Sequence, residues 1–198
     1  MAAFDEALRA KRGASSLVGV DEAGRGPLAG PVVAAAVIFS ADVSGLDGVK
    51  DSKKVLSPVR RDALARLVRG RALAWGVGAA SMAEIEDRNI LQATFLAMRR
   101  ALEALGPAGR GAHLVVDGDK SLPAWAGAQE ALVDGDAKSL CVAGASILAK
   151  TVRDRWMRGF DRLHPGYDFS RHKGYGTKAH YEALRRLGPS PVHRRSFL

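Results

Sequence analysis

The segment that most constrains the fold spans residues 17–39, where two apolar runs flank a glycine-rich turn. Leu17-Val18-Gly19-Val20 predicts a short buried strand, and the run from Pro31 to Phe39 predicts a second one. Two adjacent carboxylates, Asp21 and Glu22, follow the first run directly. Neighbouring side chains of a strand point to opposite faces, so this pair can meet one ligand only if the strand ends there or a cation gathers both groups.

The residues after this acidic pair favour a binding site, although such a pair can also simply solvate a turn. Two carboxylates at a strand tip repel each other unless one is protonated or a metal lies between them. Gly24 and Gly26 flank Arg25, which leaves backbone amides open to a ligand. An arginine between two glycines suits a phosphate or nucleic-acid contact.

The same glycines also match the looser dinucleotide-binding pattern, as Gly24-x-Gly26-x-x-Ala29. That pattern should open a helix directly after the strand. Here Pro27, Pro31 and a β-branched run favour a loop followed by another strand. A dinucleotide-dependent oxidoreductase is therefore set aside.

The length and composition of the whole chain limit its domain count, its partners and its location. Its 198 residues, 47% of them hydrophobic, predict one domain over residues 1–198. Thirty Lys and Arg against 21 Asp and Glu give a formal charge of +9, which suits a polyanionic partner or a basic surface without one. Cys141 lies in an apolar helical pattern and is expected to be buried. With no predicted signal peptide or membrane span, we expect a cytoplasmic protein without membrane contact.

Alternating strand and helix patterns predict an α/β fold. The predicted elements, in chain order, are an N-terminal arm over 1–16, a helix from Ser57 that Gly70 ends, a strand over 72–78, a helix from Ser81 to Gly106, a strand over 113–117, a strand at Leu132 and Val133, and helices over 139–162 and 178–187. Residues from about 160 to 198 are rich in cations and aromatic rings. They form the predicted C-terminal, substrate-contacting segment.

Two more carboxylates are candidates for the same site. Asp117 ends a predicted strand, although Asp-Gly is also a common turn. Ser146, Lys150 and Asp154 follow one another at intervals of four along a helix. This spacing allows two interpretations of Asp154. It could form an exposed ion pair with Lys150, worth only ~0.3–0.5 kcal/mol, or it could point towards the strand tips and supply another ligand.

Two basic stretches could contact nucleic acid. Glycines on both sides of Tyr175 would leave its ring exposed among cations, which suits stacking on sugars or bases, although a flexible basic loop is equally compatible. Asp51-Ser52-Lys53-Lys54 is either a solvated loop or a phosphate contact. The candidate acidic set has only oxygen donors, which select Mg²⁺ or Mn²⁺. Two such cations ~3.5–4 Å apart would suit hydrolysis of a phosphodiester.

Six stretches together resemble bacterial ribonuclease HII, in the order of that family and over nearly the whole chain. They are Asp21 to Ala34, Asp51 to Lys54, Val116 to Gly118, Ala145 to Asp154, Lys173 to Thr177 and His193 to Phe197. The resemblance implies a ribonuclease H-like mixed β-sheet flanked by α-helices, with a C-terminal helical segment. It also implies a monomer.

The resemblance further implies an endonuclease. Such an enzyme hydrolyses the RNA strand of RNA/DNA hybrids and nicks DNA 5′ to a single embedded ribonucleotide, leaving 3′-hydroxyl and 5′-phosphate ends. The residues that match the family's ligands for two divalent cations, Mg²⁺ or Mn²⁺, are Asp21, Glu22, Asp117 and Asp154. A nucleic-acid-binding protein with a degenerate metal site is the alternative, and metal-dependent cleavage separates the two.

Substrate contacts also follow from the resemblance. Gly24, Arg25 and Gly26 match the residues that contact the 2′-hydroxyl region, Tyr175 matches the ring that stacks on the next sugar, and Lys53 is expected to hold a phosphate. Arg25 and the short arm match ribonuclease HII better than ribonuclease HIII, which has a separate N-terminal substrate-binding domain. Gly144 stands where the family more often has alanine. The glycine is expected to make the helix ~1 kcal/mol less stable than alanine would.

Overall fold

Five strands and seven helices form within residues 1–49 and 57–198, the part of the chain that the computed structural model describes. The strands are β1 (Leu17–Ala23), β2 (Val32–Phe39), β3 (Ala72–Ala80), β4 (His113–Asp117) and β5 (Gln129–Leu132). The helices are α1 (Ala2–Arg12), α2 (Pro58–Arg71), α3 (Met82–Glu103), α4 (Gly135–Lys138), α5 (Leu140–Leu163), α6 (Phe169–His172) and α7 (Lys178–Leu187). Lys53 and its predicted phosphate contact lie outside the described residues.

The strands form one mixed sheet in the order β3-β2-β1-β4-β5. β1 pairs antiparallel with β2 and parallel with β4, so the carboxyl ends of β1 and β4 meet at the same edge. Val20 lies opposite Val116 in this parallel pair. The next residue of each strand is a predicted metal ligand, Asp21 or Asp117.

Helices cover both faces of the sheet, which is why β2 is apolar and buried along its whole length. Val18 and Val20 belong to the core beneath α3, and Leu17 belongs to the core beneath α5. Gly19 lets α5 approach the sheet closely, because a β-carbon there would lie 2.3 Å from backbone atoms of Cys141 and Val142. The N-terminal end of α5 therefore rests directly on β1.

Tertiary packing shifts several predicted boundaries. β1 continues three residues past Val20, and α2 continues through Gly70 to Arg71. Gly70 does not end α2, because Leu64 and Val68 anchor the helix on the core and the N–H of Ala72 still donates to Val68. The long helix α3 is kinked at Asn89, which has a φ of 66° and whose side chain caps the second half.

Gly144 has a packing role that offsets its low helix propensity. A β-carbon there would lie 3.0 Å from Cε2 and 3.1 Å from Cζ of Phe39, closer than ordinary van der Waals contact. The glycine thus makes room for this buried ring on β2. The expected loosening of the helix is compensated by close contact with the sheet.

The predicted N-terminal arm is a helix, α1, that docks on the core. Leu8 packs in the cluster beneath α5, and the Asp5 carboxylate accepts a hydrogen bond from the N–H of Cys141 at 3.0 Å. A carboxylate at this position stabilises the first N–H groups of α5, which have no acceptor within the helix. Cys141 is buried as predicted, and burial raises the pKa of its thiol.

The C-terminal segment has its own small core, built on Met157, Tyr167 and Phe169, and it packs beside the glycine-rich turn. The N–H of Leu28 donates to Gly174 at 2.8 Å, and the N–H of Arg194 donates to Leu28 at 2.8 Å. These bonds fix the turn against the C-terminal end of the chain. No helix among the described residues is long and apolar enough to cross a membrane.

Candidate active site and nucleic-acid interface

Asp21 lies inside β1, on the face that α5 covers. It is 4% exposed, because the ladder with β2 runs on through Glu22 and Ala23 instead of ending at Val20. Burial raises the pKa of Asp21 well above its usual range, and the charges of Glu22 and Asp117 raise it further, while a hydrogen bond with Ser146 opposes the shift. Asp21 is thus held close to two other carboxylates, where a bound proton or a cation relieves the repulsion.

Asp117 ends β4 and is oriented by the helix that follows β5. Its Oδ1 accepts hydrogen bonds from the N–H groups of Gly135 at 2.7 Å and Asp136 at 3.3 Å. Gly135 permits this approach, because a β-carbon there would lie 3.0 Å from that oxygen. The start of α4 therefore fixes the direction of the Asp117 carboxylate.

Glu22 faces the opposite side of β1 from Asp21, as strand alternation requires. Its Oε1 lies 3.4 Å from Nη1 of Arg25. Glu22, Arg25 and Asp117 line one shallow pocket together with Lys120 and side chains of α3. The acidic strand ends and the glycine-rich turn therefore border the same surface.

Asp154, the fourth predicted ligand, forms ion pairs with two cations. Its Oδ2 lies 3.0 Å from Nη1 of Arg61, and its Oδ1 lies 2.8 Å from Nζ of Lys150. The ion pair with Lys150 forms, as the spacing of four residues predicts. It does not lie on an open surface, however, because Asp154 is only 5% exposed. Arg61 was missed in the sequence because it is one of several arginines in α2 and lies 93 residues from Asp154.

The four carboxylates do not form a ready-made cation site. Among residues 1–49 and 57–198, no three His, Cys, Asp or Glu side chains are grouped closely enough to hold a metal ion. Asp21, Glu22 and Asp117 interact electrostatically, and Asp154 is held by Arg61 and Lys150. Their shared role as metal ligands stays a prediction.

The glycine-rich turn and the Tyr175 ring lie next to each other, although 149 positions separate Gly26 from Tyr175 in the sequence. Gly24 is buried, whereas Arg25 and Gly26 form an exposed tip. A β-carbon added to Gly26 would lie 4.0 Å from Cε1 of Tyr175, whose side chain is 45% exposed. Nζ of Lys150 lies 5.9 Å from the centre of that ring, at cation–π distance.

Two neutral histidines in a hydrogen-bonded chain hold the backbone of Tyr175, and no sequence pattern predicts this contact. The N–H of Ser190 donates to Nδ1 of His193 at 2.9 Å, so the ring proton of His193 sits on Nε2. That Nε2 lies 2.9 Å from Nε2 of His180, which must accept. His180 therefore donates from Nδ1 to the carbonyl of Tyr175 at 2.9 Å.

This histidine chain predicts a loss of stability in acid. Burial, followed by the neighbouring His180, lowers the pKa of His193 to about 4 from an ordinary value of 6.5. Between these two pH values His193 is therefore protonated in the unfolded chain but neutral in the folded chain. The resulting stabilisation is complete above pH 6.5 and is lost as the pH falls towards 4, by roughly 2–3 kcal/mol from this residue.

Urea unfolding of the wild type and of His193→Gln from pH 8 to pH 4 measures this effect. We expect the variant to be less stable at pH 8, because it loses the fitted ring, but to lose less stability between pH 6.5 and pH 4. Parallel curves for the two proteins over that interval would contradict the assignment.

The sheet, its helices and its acidic edge define a hydrolase of the ribonuclease H-like fold, as solved structures confirm. The ribonuclease HII in the structure of the PCNA:RNase HII complex from Archaeoglobus fulgidus aligns with a TM-score of 0.77 and 26% identity, over 92% of this chain and 95% of that one. Bst ribonuclease HIII, solved in complex with Mn²⁺, has the same fold, with a TM-score of 0.65, 22% identity and coverage of 92% of this chain and 66% of that one.

The sequence matches within this class are more specific. The family model of ribonuclease HII matches residues 18–198. The ribonuclease HII of Geobacter sulfurreducens is 52% identical over 194 residues, covering 97% of this chain and 86% of that protein. The chain belongs to the ribonuclease HII family and is a ribonuclease H-type endonuclease, and no comparison favours the non-catalytic alternative.

Proposed function

We propose that the enzyme hydrolyses the RNA strand of RNA/DNA hybrids and nicks DNA duplexes on the 5′ side of a single embedded ribonucleotide, leaving 3′-hydroxyl and 5′-phosphate ends. The observation that carries this proposal is the arrangement of one surface. Glu22 and Asp117, which interact electrostatically with buried Asp21, line one pocket with Arg25, and the exposed tip formed by Arg25 and Gly26 lies beside the Tyr175 ring. Membership of the ribonuclease HII family supports the same reaction.

The enzyme depends on divalent metal ions, as its family does. We propose that it holds two, Mg²⁺ or Mn²⁺, through Asp21, Glu22, Asp117 and Asp154. These residues offer only oxygen donors, and the repulsion that raises the pKa of Asp21 is relieved when a cation binds. When bound, the cations activate water and stabilise the leaving oxygen of the phosphodiester.

The chain's own residues position the substrate around this site. Asp117 would hold a cation through a carboxylate whose Oδ1 α4 already orients, and Asp154 would leave an ion pair with Arg61 or Lys150 to do the same. Lys150 would then be able to bind a phosphate. Gly24, Arg25 and Gly26 contact the 2′-hydroxyl region of the ribonucleotide, and Lys53 holds a phosphate.

The segment from about residue 160 to 198 supplies the second part of the substrate contact. Its Tyr175 ring stacks on the sugar that follows the ribonucleotide, and the histidine chain keeps that ring beside Gly26. Within the single catalytic domain, this segment therefore senses the junction from RNA to DNA. We propose that the enzyme works as a monomer in the cytoplasm.

The direct test uses an end-labelled DNA duplex with one ribonucleotide, incubated with Mg²⁺ or Mn²⁺. An all-DNA duplex of the same sequence and a chelator-treated sample are the controls. We expect one metal-dependent nick on the 5′ side of the ribose and none in the all-DNA duplex. Folded enzyme that binds the duplex but never cuts it would instead support the binding-only alternative.

Replacing Tyr175 by Ala is expected to weaken recognition of the junction. Stacking on a nucleotide is worth about 1–3 kcal/mol, so kcat/KM on the single-ribonucleotide duplex should fall roughly 5- to 160-fold. Tyr175→Phe keeps the ring and should stay near the wild type. Steady-state kinetics on that duplex decides, and equal losses in both variants would assign the effect to the hydroxyl group and rule out stacking.

A further inference from the structure

Arg194 is fully buried, and among the described residues the charge of Glu86 acts on it but no carboxylate forms a salt bridge with it. Its guanidinium donates only to backbone carbonyls of the glycine-rich turn. Nε donates to Gly30 at 2.8 Å, Nη1 to Arg25 at 2.9 Å and Nη2 to Gly24 at 2.6 Å. Burying a charge is costly unless specific bonds compensate for it, so this arrangement calls for an explanation.

The cost of burial is visible in the side chain itself. Desolvation, followed by the nearby charge of Arg153, lowers the pKa of Arg194 to about 9. The guanidinium still carries its charge at neutral pH. Hydrogen bonds from a charged donor are stronger than neutral ones, so two successive peptide groups of the turn are held firmly.

The geometry of the peptide group then fixes the amides at the tip. In a trans peptide, the C=O of one residue and the N–H of the next point in opposite directions, and the described residues contain no cis peptide. Because the carbonyls of Gly24 and Arg25 both point at Arg194, the N–H groups of Arg25 and Gly26 point away from it. These two residues form the exposed part of the turn.

Neither amide donates a hydrogen bond within the part of the chain that the structure describes. Among the backbone hydrogen bonds of residues 1–49 and 57–198, none is donated by the N–H of Arg25 or Gly26. Both are therefore open to a ligand, and Tyr175 lies close by, with Cε1 4.0 Å from a β-carbon placed on Gly26. Two parallel donors at an exposed tip suit an oxygen-rich group of a nucleotide.

We propose that Arg194 is a positioning residue for ribonucleotide recognition, which turns the amides of Arg25 and Gly26 outwards by binding the two carbonyls behind them. This inference rests on the proposed function, because it assigns those amides to the sugar and phosphate of the ribonucleotide. Arg194 itself does not touch the substrate. It lies behind the turn and acts through the backbone.

The planar fork of arginine is needed for this role. Lysine has one nitrogen at the end of a flexible chain and cannot donate to three separated carbonyls in fixed directions. Arg153, also fully buried, holds the rest of the turn and not its tip, donating to Ala29, Pro31 and Lys173. Arg194 is the one of these two arginines that controls the peptide groups beside Gly26.

The test compares the wild type with Arg194→Lys by fluorescence anisotropy in a chelating buffer, where no strand is cut. The measured quantity is the ratio of affinities for a duplex with one ribonucleotide and an all-DNA duplex. We expect the wild type to prefer the ribonucleotide, and the variant to lose at least five-fold in this ratio while its affinity for all-DNA changes less than two-fold. Arg100→Lys, which alters an arginine that binds Glu84 and the Ala79 carbonyl, is the matched control.

A second measurement does not depend on how well the variant folds. In the ¹⁵N-labelled wild type, the amide resonances of Arg25 and Gly26 should shift more with the ribonucleotide duplex than with the all-DNA duplex. Equal shifts, or an unchanged affinity ratio in folded Arg194→Lys, would overturn the inference. A wild type that neither prefers the ribonucleotide nor cuts beside it would overturn the proposed function instead.

Discussion

Replacing Asp21 by Asn is expected to abolish turnover while leaving duplex binding nearly intact. Asp21 is the most buried of the three interacting carboxylates, and a neutral amide cannot supply the charge that holds a divalent cation. A loss of roughly 4 kcal/mol of transition-state stabilisation corresponds to about 10³-fold in rate. Binding should persist, because it depends on the basic surface and not on this buried group.

The same substitution should stabilise the folded chain when no divalent ion is present. A carboxylate whose pKa is raised on folding destabilises the protein increasingly as the pH rises from its unfolded value through the raised folded value. Asn removes both the buried charge and its repulsion with Glu22 and Asp117. We therefore expect a higher melting temperature in chelating buffer together with the loss of activity.

Single-turnover cleavage, anisotropy and thermal unfolding of Asp21→Asn test these expectations together. Asp119→Asn is the matched control, because Asp119 is an exposed carboxylate next to the site that pairs with Lys120. It should resemble the wild type in all three measurements. Near-normal cleavage by Asp21→Asn would show that Asp21 is not required for catalysis.

The sequence predicted most of the sheet, because its strands are local apolar runs. It also placed Asp21 and Asp117 in one candidate site, and the parallel pairing of β1 with β4 brings the two strand ends to the same edge. The end of β1 was wrong by three residues. Ala23 belongs to the strand only because it pairs with Val33 on β2, and a local pattern does not contain that pairing.

The groups that support the site were not predictable, because each acts over a long sequence separation. Arg61 reaches Asp154 across 93 residues, and Arg194 reaches Gly24 across 170. No spacing rule links such pairs. The contact between His180 and His193 was likewise not predictable, since two neutral rings that bind each other follow no spacing pattern in the sequence.

Replacing Gly24 by Ala is expected to cause the largest loss of stability near the binding surface. Gly24 has a φ of +100°, which L side chains rarely adopt, and a β-carbon there would lie 2.0 Å from Nε of buried Arg153. The backbone strain should cost about 1–3 kcal/mol, and the overlap a further 1–3 kcal/mol. Moving the guanidinium aside would also break its bonds to the turn.

Gly118→Ala separates the two contributions, because Gly118 has a nearly equal φ of +105° but no atom within 4 Å of an added β-carbon. We expect urea unfolding to show only the backbone cost in Gly118→Ala and about twice that loss in Gly24→Ala. Equal losses would mean that Arg153 can move freely, and hence that the turn is not held rigidly from behind. The larger loss at Gly24 would instead show that buried Arg153 packs so tightly behind the turn that no side chain fits at Gly24.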